Sequence, residues 1–416
     1  MFGIKTKLKN HFDSYQNLIK SPNRSLSFIE NIILISKFRQ ELKKETANYD
    51  LQLPLAKRVN NYAALTIKLL ADFMPNNLGN WSINKPNTLG KKLEKQIVEI
   101  MKNYYQSPAK IAGHFTSGST EGNIYAAWIG RNYLIKKLGI QSTEKISFLF
   151  NSLTHYSISK AADLINVKSE ELAIDQKNWN IDLDFLNKTL EKLYKKGIRA
   201  FLIPLTIGYT VTGTEDNVEE ICKITEKFKK NHKGVEFFLW LDAAFSGVSK
   251  IFTENDFKPF DNKSIQLITT DFHKLLAVPY SSGLVLYRNT LTDYIKRDIP
   301  YIGLVDTTLL GSRSGMSVIA TWFTLINLNK KKLRNIFLKA IAKKEKFLKT
   351  ISQENLNLEI INNPDSIQTC LICKDKKSLK LLATKYQLRE LNCRLLFSNG
   401  YETVNSVKLY FFPKFN

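Results

Sequence analysis

This sequence predicts an α/β fold with a largely parallel sheet, followed by a smaller α+β domain, and three observations carry that expectation. From about residue 111, short β-rich runs alternate with amphipathic helical stretches, the order that lays helices across a parallel sheet. Beyond residue 311 the alternation gives way to a long lysine-rich helix and a group of strand-like runs. A chain of 416 residues also exceeds what one small core organises. The expected division is a helical N-terminal segment (1–60), a large domain (61–310, with leading helices at 61–105) and a small C-terminal domain (311–416).

Taken in order, IENIILISKFRQELKKE (29–45) has an apolar face against charged positions and reads as a basic helix. Pro54 and the Asn60–Asn61 pair mark a break. Residues 61–105 read as two helices around the turn-rich loop PNNLGNWSINKPNTLG, which carries an aromatic residue, Trp81. The strand runs are ISFLF (146–150), AFLIPL (200–205), EFFLWL (236–241), IQLIT (265–269) and GLVLY (283–287). Helical stretches at 121–138, 157–165, 183–197 and 217–231 lie between them. In the last segment LEIIN, QTCLIC and VKLYFF read as strands.

The formal net charge is +23, which raises the question of a nucleic acid or an acidic membrane as partner. The lysines are spread as pairs (Lys43–Lys44, Lys136–Lys137, Lys229–Lys230, Lys343–Lys344) on helix-like stretches, with no basic arm or aromatic-interleaved patch, so a solvated lysine-rich surface is expected. No apolar run approaches the roughly 20 residues that span a bilayer, and MFGIKTKLKNHF has no apolar core followed by a cleavage site, so neither a membrane span nor a secretory signal is expected. Four cysteines fit a reduced, cytoplasmic protein. Cys370 and Cys373 form a C-x-x-C, but within an apolar strand-like run with no second pair or flanking His; packing rather than metal binding is expected.

Four motifs sit at or beside strand ends. HFTSGSTEGN (114–123) places Ser117, Gly118, Ser119 and Thr120 where a loop opens a helix; this suits an anion, although a merely capped helix needs the same residues. LWLDAAFSG (239–247) ends a hydrophobic strand on Asp242, a carboxylate that must find a partner, be it a cap, an ion pair or a ligand. TTDFHKLLAVPYSSGLVLY (269–287) puts His273 and Lys274 after a strand, where a partly desolvated lysine can act as a nucleophile; the ordinary fate of a lysine is the surface. THYSISKAADLI (154–165) has His155 just before a helix, where a structural histidine is commoner than a catalytic one. Together the four supply an anion cradle, a carboxylate, a lysine and a flat ring at the carboxyl edge of one sheet, which are the needs of pyridoxal 5'-phosphate (PLP).

TSGSTEGN, HYSISKAA, IGYTVTG, LDAAFSG, DFHK and GSRSG in this order resemble the group II PLP-dependent amino-acid decarboxylases, over roughly residues 60–350. Within that group the chain is similar to bacterial histidine decarboxylases and plant serine decarboxylases. Archaeal tyrosine/aspartate decarboxylases are similar through Asp271-x-His273-Lys274. The resemblance implies fold type I, the aspartate-aminotransferase-like architecture, with a mainly parallel seven-stranded sheet. It implies that Lys274 forms the covalent link to the cofactor, Asp242 pairs with the ring nitrogen, and His155 and Ala244 flank the ring. Ser119 and Thr120, with His273, would hold phosphate, and Thr206 would lie near the Asp242 contact. Arg313, in GSRSG, follows a loop (300–310) that, by the resemblance, would approach the active site at a homodimer interface. Trp81, Tyr301 and Arg313 are thus candidates for substrate or dimer-loop contacts.

The chain departs from the family at Gly208-Tyr209-Thr210, where Gly-Thr-Thr is usual, at Phe272, and at Met316, where histidine decarboxylases carry His. It stops soon after VKLYFF, where a further helix is expected, and about 45 N-terminal residues exceed the short bacterial members. The implied activity is decarboxylation of an L-amino acid to its amine, with histidine or another polar or aromatic amino acid as substrate. The alternatives are a PLP-dependent carbon–carbon lyase and an inactive cofactor-binding interaction protein. No metal and no nucleic-acid partner is expected.

Overall fold

A computed structural model describes residues 27–48, 59–79, 88–108, 110–254, 257–301, 303–386, 388 and 390–415. Residues 1–50 and 51–416 form two units. In the first, α1 (Phe28–Asn48) is a 21-residue helix that exposes Phe28, Ile29, Ile32 and Ile35.

The second unit opens with α2 (Asn61–Leu70) and α3 (Leu89–Tyr104), the two helices expected around the turn-rich loop. Asn60 and Thr88 begin them, each accepting a backbone N–H three residues on. The described part of the loop holds the short strand β1 (Asn76–Leu78); Trp81 lies outside the described residues.

The alternating region follows as β2 (Ile111–Thr116), α4 (Ser119–Leu138), β3 (Ile146–Asn151), α5 (Ser157–Leu164), β4 (Lys168–Leu172), α6 (Leu183–Lys195) and β5 (Ala200–Thr206). It continues with α7 (Val218–Asn231), β6 (Glu236–Asp242), α8 (Ser246–Thr253), β7 (Ile265–Asp271), α9 (Phe272–Leu275) and β8 (Gly283–Arg288). The strands form one seven-stranded sheet in the order β2-β8-β7-β6-β5-β3-β4. Every pair from β7 to β4 is parallel, and β8 alone runs against its neighbours β2 and β7.

All residues of β5 and β6 are buried, as their nearly unbroken apolar runs require between two helical layers. Alternate side chains separate into two cores: Phe148, Leu202, Phe238 and Trp240 meet α4 and α5, whereas Phe201, Leu239 and Leu241 meet α6, α7 and α8. The sequence reading missed β2, which runs directly into a loop motif, and β4, whose KSEEL is polar because it is an edge strand.

Short strands β9 (Arg297–Ile299), β10 (Leu304–Asp306) and β11 (Ser312–Ser314) lead to α10 (Gly315–Asn327) and the lysine-rich α11 (Lys330–Ser352). Strands β12 (Leu358–Asn362) and β13 (Gln368–Cys373), helix α12 (Lys376–Lys385), and strands β14 (Leu391–Phe397) and β15 (Gly400–Tyr410) complete the chain's order. The four strands form an antiparallel sheet, β12-β13-β15-β14. Cys370 and Cys373 are buried in β13, and burial pushes their thiols up to about 12 and about 11.

Candidate active site

The strand ends bring the motif residues to one edge. Asp242 closes β6 and pairs in register with Thr206, which closes β5. Asp271 closes β7, and the short helix α9 after it carries His273 and Lys274. Because β8 is antiparallel, its first residue, Gly283, lies at the same edge, opposite both Thr116 and Asp271. A Cβ on Gly283 would fall 2.6 Å from Gly118 Cα, so only glycine lets the 117–120 loop approach the strand ends.

That loop opens the 20-residue helix α4. Gly118 has φ +151° and offers no side-chain cap. Instead the Ser119 N–H donates to Asp271 Oδ1 at 2.7 Å, and the Ser117 N–H donates to Glu121 Oε2 at 2.6 Å. Ser119 Oγ is buried with no hydrogen-bond partner among the described residues, while Ser117 and Thr120 are exposed.

Asp242 is buried, and burial raises its carboxyl above the ordinary range; His155 and Lys274 act against that shift. Its Oδ2 accepts Asn123 Nδ2 at 2.8 Å and its Oδ1 accepts the Ala244 N–H at 3.3 Å. Asn123 also donates to Ser157 Oγ at 3.0 Å, and Ser157 Oγ lies 2.8 Å from His155 Nδ1. Burial lowers the His155 imidazole below its usual value, with Asp242 pulling it up. Lys274 Nζ lies 3.1 Å from Asp271 Oδ2, and the half-buried His273 hydrogen-bonds Ser282 O through Nδ1 at 2.9 Å. Burial also lowers the His273 imidazole.

These residues fit PLP. Among the described residues Asp242 has no ion pair, and a buried carboxylate calls for a cation such as a protonated ring nitrogen. At the start of α4 the buried Ser119 hydroxyl, without a hydrogen-bond partner among the described residues, suits a phosphate. Lys274 stands at the neighbouring strand end.

Two further candidates are Tyr301 and Arg313. Tyr301 is 88% exposed. Arg313 is buried: its Nη1 donates to Glu94 Oε1 at 3.0 Å and to the Phe115 carbonyl. Glu94 also takes the Lys91 ammonium, Asn77 Nδ2 at 3.1 Å and the Phe115 N–H at 2.7 Å. This cluster ties α3, β1, β2 and β11 together just ahead of the 117–120 loop.

Sequence reasoning assigned no role to Asp271, Asn123, Lys91 or Glu94. Asp271 stands in the D-x-H-K pattern at i, i+3 from Lys274, a spacing that could have flagged it. Lys91 and Glu94 sit in GKKLEKQ, where nothing separates a buried charge from a solvated one.

A family model described as "Pyridoxal-dependent decarboxylase conserved domain" matches residues 45–374. A tryptophan decarboxylase of Clostridium sporogenes is 28% identical over 310 residues, 67% of this chain and 73% of that enzyme. A histidine decarboxylase of Klebsiella aerogenes is 30% identical over 253 residues, 60% of this chain and 63% of its counterpart. The L-methionine decarboxylase of Streptomyces sp.590 shares the fold, with a TM-score of 0.76 and 18% identity over 94% of this chain and 92% of that one.

Proposed function

The chain belongs to the pyridoxal-dependent decarboxylase family, and from that premise we propose that it decarboxylates an L-amino acid, histidine or another polar or aromatic one, to the amine. It is a PLP-dependent carboxy-lyase of fold type I. The observation that carries the reading is the buried Asp242, held by Asn123 and without an ion pair among the described residues, at the same sheet edge as Lys274.

When bound, PLP supplies an aldehyde that captures the amine and a protonated ring that takes up the electron pair left by CO₂. The residues divide the remaining work. Lys274 is the nucleophile for the covalent link, and Asp271, 3.1 Å away, orients its amine. Asp242 would keep the ring nitrogen protonated; Asn123 and the Ala244 N–H fix its carboxylate. Ser119, Thr120 and the start of α4 would hold the phosphate, with Ser117, Gly118 and His273 shaping the cradle. His155 and Ala244 would flank the ring, and Thr206 lies beside Asp242. Trp81, Tyr301 and Arg313 remain with substrate selection and the dimer loop, Arg313 acting from its buried site.

A homodimer is the proposed unit, a reading supported by exposed apolar side chains at Tyr301, Leu304, Val305, Leu309 and Leu310. A cytoplasmic setting is supported by four free cysteines; no helix among the described residues is long and apolar enough to cross a membrane.

The test is a panel of L-amino acids assayed for CO₂ and amine, with borohydride reduction and peptide mapping of the cofactor-loaded protein. CO₂ release and a label on Lys274, lost in Lys274→Ala, are expected. Carbon–carbon cleavage without CO₂, or a label on another lysine, refutes the reading.

A further inference from the structure

Resting on the decarboxylase reading above, we propose that Tyr209 is a positioning residue: its hydroxyl, locked between Asn151 and Asp216, holds the turn carrying His155 in register with the strand ends carrying Thr206 and Asp242. Tyr209 stands where the resemblance leads one to expect the middle residue of Gly-Thr-Thr, and it is fully buried. A buried ring needs only apolar neighbours, so a phenylalanine would serve packing alone. The hydroxyl is committed on both sides: it accepts Asn151 Nδ2 at 2.7 Å and donates to the Asp216 carboxylate, whose oxygens lie at 2.8 and 2.9 Å.

Each partner reaches a different part of the site. Asn151 Oδ1 accepts the Leu153 N–H at 3.0 Å and both the N–H and the hydroxyl of Thr154 at 3.1 Å, which folds the turn directly before His155. Asp216 accepts the Thr206 N–H at 2.7 Å and the Ile181 N–H at 3.0 Å, fixing the end of β5 beside Asp242. His155 and Asp242 are thus joined twice, through Ser157 and Asn123 and through the Asn151–Tyr209–Asp216 chain. The C-terminal sheet anchors the second route: Gln368 Nε2 donates to the Tyr209 and Thr210 carbonyls at 3.1 and 2.8 Å, and the Tyr410 hydroxyl donates to Thr210 O at 2.6 Å. Threonine at 209 is too short to span from Asn151 to Asp216 as the phenol does.

The experiment uses the full chain loaded with PLP, as wild type, Tyr209→Phe, Asn151→Ala and the double variant. Visible circular dichroism of the bound cofactor is recorded without substrate, beside kcat and KM. Tyr209→Phe should keep the cofactor content, change the visible dichroic band, and lower kcat by about ten- to a hundredfold at little change in KM. Asn151→Ala should change the band in the same way, and the double variant should be no worse than Asn151→Ala alone. A wild-type band and kcat in folded Tyr209→Phe overturns the proposal, as do losses that multiply in the double variant. If the wild type releases CO₂ from no amino acid, the decarboxylase reading falls, while the dichroic band still decides the role of Tyr209.

Discussion

Glu94→Gln is expected to destabilise the fold by about 3–5 kcal/mol at neutral pH, and by less as the pH rises. The carboxylate takes the Lys91 ammonium, the Arg313 guanidinium, Asn77 Nδ2 and the Phe115 N–H, all from buried groups. Glutamine keeps one oxygen and turns an NH₂ toward donors, leaving buried positive charge without its counter-charge. The cheapest relief is for Lys91, 1% exposed and already pulled down by burial, to give up its proton. Neutralising a lysine of ordinary value 10.5 at pH 7 costs about 4.8 kcal/mol at ~1.36 kcal/mol per unit, which caps the penalty. In the variant the unfolded chain then holds a proton up to pH 10.5 that the folded chain lacks, so variant stability climbs with pH and the gap to wild type narrows from pH 7 to 9. Urea unfolding at both pH values measures this. A loss under ~1 kcal/mol at pH 7, or a gap that widens with pH, refutes the reasoning.

Asp242→Asn should keep the cofactor on Lys274 yet lose about a hundred- to a thousandfold in turnover per loaded site; near wild-type turnover in the loaded, folded variant contradicts the role given to Asp242. Burial pushes the Asp216 carboxyl up to about 6, from an ordinary 3.8, so its proton stabilises the fold below pH 3.8 and that contribution is lost as the pH rises through 6. The difference in thermal midpoint between wild type and Asp216→Asn should therefore move in favour of wild type as the pH falls from 6 toward 4, and a flat difference speaks against a raised carboxyl. Gly122→Ala sets a methyl 2.0 Å from Thr269 Oγ1 at the contact of α4 with β7. The overlap costs roughly 1–3 kcal/mol and outweighs the helix propensity gained, about 1 kcal/mol, so a lower thermal midpoint is expected and a higher one contradicts the contact.

The alternation of AFLIPL, EFFLWL, IQLIT and GLVLY with amphipathic helices was legible because central strands between two helical layers must be apolar on both faces. Lys274, Asp242 and the 117–120 loop were legible for a related reason: each interrupts or ends an apolar run with a polar group at a strand end. Edge strand β4 was not legible, since one side of it meets water and its composition resembles a loop.

Local sequence therefore determined the layer order, the strand ends and the residue types gathered there, since these follow from periodicity and from chain neighbours. Only the tertiary structure decided which partner each polar group takes. Arg313 and Glu94 are 219 positions apart in sequence, and Asn123 and Asp242 are 119 apart. No periodicity encodes a contact at such separation. Which charge is buried against which is settled when the sheet closes and every desolvated group must find a counterpart.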